Sequence, residues 1–174
     1  MGVPAAARYI VTPAWMKSTC RWLAFLIVFQ YGSGENQNAM GSAQTSVRFE
    51  GVHCSIVLER IATSVILLQI RGTDTGELGD APMRALGDWL ADSGPVKFFI
   101  DARAVRGASI DVSSEWAAWL NAHRAQLQSI TMLTGSKLIQ ITAEFVRRFA
   151  GLNGIMWVCT EPAVFDLALH QAHR

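Results

Sequence analysis

The stretch DARAVRGASIDVSSEW, Asp101 to Trp116, gathers serines, carboxylates and arginines where an apolar strand, VKFFI, leads through a Gly- and Ser-bearing loop into a helix beginning near Asp111. Asp111 suits the N-cap: its carboxylate can accept a hydrogen bond from a free amide of the first turn, at about 1 kcal/mol. Ser113 and Ser114 then fall within that turn, near the positive end of the helix dipole. A phosphate there is favoured by unsatisfied amides and by the dipole, with Arg103 and Arg106 close in sequence. Ser113, Ser114 and Ser109 are therefore the phosphoacceptor candidates. Plain capping serines on a solvated turn account for the same composition.

A second junction, MLTGSKLI, offers Gly135 for an unusual backbone angle, Ser136 as a cap and Lys137 as a cation at a helix start. It holds only the GSK fragment of a phosphate-binding loop, which needs GxxxxGK[ST]. An ordinary strand-to-helix turn reads the same way. No GxSxG, HExxH or GxGxxG motif occurs, so no catalytic residue, cofactor or metal is assigned. His123 sits close to an apolar helix face, and His170 and His173 share a face of the last helix. Asp74, Glu77 and Asp80 read as a charged loop. Three cysteines, odd in number and widely spaced, suit thiols in a reducing compartment.

The elements that must position these residues are punctuated regularly from residue 46. SVRFEG, HCSIVLER and SVILLQIRG have strand length and pattern, as do VKFFIDAR, SITMLTG and IMWVCT. A helix from about Asp80 to the Ser93-Gly94-Pro95 stop turns Leu78, Pro82, Leu86, Trp89 and Leu90 to one face. The next runs from Val112 to about Gln128 with a stripe of Val112, Trp116, Trp119, Leu120 and Leu127. SKLIQITAEFVRRFAGLNG predicts a third, with Leu138, Ile141, Phe145, Val146 and Phe149 inward. EPAVFDLALHQAHR is the last. A strand meander followed by helix–strand alternation predicts an α/β fold: a mainly parallel sheet of four to six strands with an antiparallel start, and four amphipathic helices packed on it.

Of 174 residues, 51% are apolar and 17% charged, enough for a packed core. The near-neutral balance, +1 overall, has no general attraction for nucleic acid. Residues 1–45 differ from the rest. Lys17 and Arg21 precede the apolar run Trp22 to Phe29, the layout of an export signal and far shorter than the roughly 20 residues a spanning helix needs. Met16 and Met40 are alternative starts, so this segment is a leader or a misassigned extension, and the domain is 46–174. The location follows: cytoplasmic, or exported or membrane-associated if residues 16–34 act as a signal.

The runs VKFFIDARAVRGASIDVSSEWAAWL and SITMLTGSKLIQITAEFVRRFAGLNGIMWVCTEPAVFDLAL resemble, in order, the STAS family of sulfate-transporter and anti-sigma-factor-antagonist domains, including a bacterial branch related to CRAL-TRIO lipid-transfer domains. The resemblance implies a non-enzymatic regulatory module. It would bind a kinase or anti-sigma-like protein through the junction near Ser109 to Glu115 and be switched by serine phosphorylation. In that family an Asp-Ser pair opens the helix; here Val112 follows Asp111 and the serines come one and two places later. Glu115 replaces the family's small residue, and its charge would repel a nearby phosphate. The CRAL-TRIO relation implies an alternative, a module for a lipid or small apolar ligand, with Arg103, Arg106 or Lys137 holding an anionic head group.

Overall fold

Alternating apolar residues and three crossover helices build one six-stranded sheet in the computed structural model, which describes residues 45–173. The leader assigned to residues 1–45 lies, but for its last residue, outside the described residues. A hairpin ladder comes first: β1 (Ser46–Glu50), β2 (Cys54–Ala62) and β3 (Val65–Asp74) pair antiparallel. Then follow α1 (Ala81–Ala91), β4 (Val96–Ala108), α2 (Ile110–Ala122), a short 3-10 turn (Arg124–Gln126), β5 (Leu127–Leu133), α3 (Lys137–Phe149), β6 (Met156–Cys159) and α4 (Pro162–Ala172). The pairs β3–β4, β4–β5 and β5–β6 are parallel, as the α/β reading requires.

Strand order across the sheet is β1-β2-β3-β4-β5-β6, the same as along the chain. Right-handed crossovers that always step in one direction put their helices on one face. Side-chain alternation confirms it. Ile66, Leu68, Phe98 and Ile100 join Leu86, Leu120 and Val146 of α1, α2 and α3 in the larger core. Val65, Leu67, Phe99 and Leu133 point the other way and meet Phe165 of α4. The sheet never reverses its strand order, so it has no crevice of the kind that opens between helices on opposite faces.

Three sequence expectations need correction. Strand β4 does not stop at Arg103 but runs to Ala108, because the end of β3 continues beside it, Gly72 against Val105 and Asp74 against Ala108. Small residues and Gly107 gave that segment the look of a loop. Helix α2 ends at Ala122, and Leu127 is the first residue of β5, not part of the helix stripe. In α3 the buried residues are Ile139, Ala143 and Val146, whereas Leu138, Ile141 and Phe149 are 60%, 68% and 72% exposed. The helix carries two adjacent apolar stripes, and the one with small Ala143 packs closest to the sheet.

Candidate functional site

With β4 extended, the entrance to α2 is a single residue. Ser109 is extended and caps the helix: its Oγ accepts from the Val112 amide at 3.2 Å, while its own amide donates to the Asp74 carbonyl at 2.9 Å. The cap is thus Ser109 and not Asp111, which is exposed in the first turn. Ser113 is buried, and its hydroxyl donates to the Ser109 carbonyl at 2.8 Å. Ser114 is exposed and its hydroxyl donates to the Ile110 carbonyl at 2.9 Å. Ile110 itself is 81% exposed, an apolar side chain set beside Asp111, Ser114 and Glu115. The first turn therefore presents Ile110, Asp111 and Ser114 outward while Val112 and Ser113 pack inward, and its accessible hydroxyl is that of Ser114.

Two candidates from the sequence leave this group. Arg103 pairs with Asp101 two residues earlier: Nε donates to Oδ1 at 3.0 Å and Nη2 to Oδ2 at 2.7 Å. Burial pushes the Asp101 carboxyl up, but the Arg103 hydrogen bonds outweigh this and hold it below the usual carboxylate range. The pair stands on the α4 face of the sheet, since Ile100 and Ala102 point into the larger core. Arg106 is exposed, and alternation from Val105, which packs on that core, puts it on the same far face. The other junction is built as expected. Ser136 caps α3 by accepting from the Ile139 amide at 3.4 Å, and the exposed Lys137 donates to Gln140 within its own helix.

Between α2, α3 and the sheet lies a cavity of about 100 Å³. Its walls are almost wholly apolar, Leu68, Ile100, Trp116, Met132 and Met156 among them, with Asp74, Ser113 and Thr142 as polar contributors. The loop after β3 borders it: a Cβ on Gly76 would lie 3.4 Å from Val112. That loop is tied down by Glu77, whose carboxylate accepts from the amides of Val52, His53 and Cys54 at 2.9, 2.7 and 2.7 Å. Successive amides converging on one anion form a nest. Sequence reading took Asp74 and Glu77 for a generic charged loop; a carboxylate whose partners are backbone amides has no signature in a sequence. Burial, then the carboxylates of Asp74 and Glu77, push the Cys54 thiol up to about 11, which leaves it unreactive. Among the described residues no group of three or more His, Cys, Asp or Glu could hold a metal, and no helix is long and apolar enough to cross a membrane.

No family model matches the sequence, and no curated protein is significantly similar to it. Solved structures do match. An uncharacterized protein from Shewanella loihica, of the DUF3478 family and with a SpoIIAA-like fold, superposes with a TM-score of 0.52 at 16% identity, over 70% of this chain and 98% of that one. This chain has the SpoIIAA-like fold. The anti-sigma factor antagonist SpoIIAA in its unphosphorylated form matches with a TM-score of 0.48 at 14% identity, over 65% of this chain and 95% of that chain. An anti-sigma factor antagonist from Mycobacterium paratuberculosis matches with a TM-score of 0.46 at 17% identity, over 67% and 94%. The six-stranded mixed sheet and its four helices are the α/β architecture expected from the sequence.

Proposed function

We propose that this chain is a non-enzymatic regulatory module of the bacterial cytoplasm, binding a kinase or anti-sigma-like protein through the α2 entrance. The observation that carries the reading is the outer side of the first turn of α2, where exposed Ile110 adjoins the exposed Ser114. An apolar anchor beside polar groups is a surface that a partner can desolvate. Phosphorylation of Ser114 would add up to about two negative charges between Asp111 and Glu115 and break the bond to the Ile110 carbonyl. Repulsion from those carboxylates makes the phosphorylated surface costly to bury, so the modified form releases its partner. Ser113 is a structural hydroxyl in this reading.

Affinity capture from the native host with phosphosite mapping tests it. Wild-type chain is expected to retain a regulatory protein that Ile110→Asp and Ser114→Glu lose at least tenfold, with phosphate found on Ser114 and not Ser113. Equal capture by all three chains overturns the proposal.

The apolar cavity supports a second reading, a small apolar ligand held under α2 and α3. At about 100 Å³ it suits a compact molecule and would take a lipid chain only if the helices moved apart. Native mass spectrometry of gently purified chain is expected to show a bound mass under this reading, and ligand-free protein alone counts against it.

A further inference from the structure

The α4 face of the sheet changes character part-way along its strands. On β3 the residues pointing that way run Val65, Leu67, then Gln69 and Arg71; on β4 they run Phe99, then Asp101 and Arg103. The apolar members are the ones α4 covers. With 11 residues α4 is about 16 Å long, against about 43 Å for the 13 residues of β4, so the strand outruns its helix. Beyond that cover lies an open cavity of about 260 Å³, lined by Gln69, Ile70, Arg71, Asp101, Arg103 and Ala104.

The backbone is irregular at the same place. Gln69 pairs with Asp101 and Arg71 with Ala104, so β4 takes three steps where β3 takes two. Such a bulge is uncommon between parallel strands and re-aims side chains. It frees the Arg103 amide, which donates to Asp101 Oδ1 at 3.1 Å. That carboxylate also takes the Nε and Nη2 of Arg103, leaving Nη1 fixed in direction and without a hydrogen bond among the described residues. Arg71 is exposed and pairs with no carboxylate among the described residues, although its charge acts on Asp101. Asp101 is held by Arg103, so Arg71 is the guanidinium that makes no hydrogen bond among the described residues. Asp166 of α4 also acts on Arg103, from beyond hydrogen-bond range.

We propose that this cavity binds the oxyanion of a small molecule, a phosphate or carboxylate group, between Arg71 and Arg103 with the Gln69 amide beside them. Planar guanidinium groups bind such groups with paired hydrogen bonds. The site lies on the opposite face from the α2 entrance and stands independently of the partner-binding reading.

The test is a residue-resolved NMR titration of the full chain with sodium phosphate and with sodium acetate, at ionic strength held constant with sodium chloride. Amides of Gln69 to Arg71 and Asp101 to Ala104 are expected to shift saturably with at least one of the two anions. Arg71→Gln, a change at an exposed side chain with no ion-pair partner among the described residues, is expected to weaken this at least tenfold while leaving the rest of the spectrum in place. Co-sedimentation with phosphatidylcholine vesicles containing phosphatidic acid separates the two sources. Arg71-dependent sedimentation identifies a head group, and phosphate or acetate binding without sedimentation identifies a free anion. Non-saturating shifts with both anions, or saturable shifts unchanged in Arg71→Gln, overturn the proposal.

Discussion

Glu77 joins two loops through three amides, and its neighbours are shaped around it. A Cβ on Gly51 would come within 2.4 Å of its carboxylate, and one on Gly72, at φ +85°, within 2.0 Å of the His53 carbonyl oxygen. Gly72 is therefore required both by close approach to backbone and by its backbone angle, whereas a side chain at Gly51 would displace the Glu77 carboxylate. The amide of His53 lowers the Glu77 pKa below the ordinary 4.5, burial opposes this, and the amides of Val52 and Cys54 add to the lowering. Because the folded-state value is depressed, the ionised carboxylate contributes stability that is fully present above about pH 4.5 and lost as pH falls through the folded value. Glu77→Gln is expected to be less stable than wild type at pH 7, with the gap closing below pH 4.5. Urea midpoints measured from pH 3 to pH 7 check this; a gap that does not change with pH rules the account out. Asp101 is present in both chains, so its own titration cancels from the difference.

At the scale of elements, α3 sets the sharpest test. Ile139 faces the core and Ile141, two residues on, faces solvent. Ile139→Ala is expected to cost about 2–4 kcal/mol and Ile141→Ala no more than about 0.5 kcal/mol, measured by urea unfolding. The reverse order would restore the face first read from the sequence. That misreading has a physical cause. Positions 138, 141, 145 and 149 keep helical spacing as well as 139, 143, 146 and 150 do, and periodicity alone cannot choose between adjoining stripes. Strand and helix identities were legible because each has one dominant period and a clear stop, as at Ser93-Gly94-Pro95. The length of β4 was not, because it depends on pairing with β3 across a bulge, a relation between distant segments. The α2 entrance was found in the right place, but its cap was read two residues late. A serine at the end of a strand and an aspartate in a first turn are both good caps, and only the extended backbone of Ser109 decides between them. Arg103 and Arg106 are close in sequence to the α2 entrance, but β4 runs past both and turns their side chains to the α4 face, which sequence proximity cannot reveal.

For the whole molecule, the two cores are unequal: the larger one holds α1, α2 and α3, and the smaller one is closed by α4 alone. Phe165 is its keystone, buried and set edge-on to Phe99 with ring centroids 5.6 Å apart. Phe165→Ala is expected to cost about 3–5 kcal/mol and to raise amide hydrogen exchange in α4 before it does so in α2. Uniform acceleration across all helices would mean that the small core is not a separable unit. The strand order has a consequence of its own. Because neighbours in the sheet are neighbours along the polypeptide, every strand after the first can dock onto one already in place, without waiting for a remote segment. Loop closures stay short, and the search for the native pairing proceeds by accretion from one end of the sheet to the other.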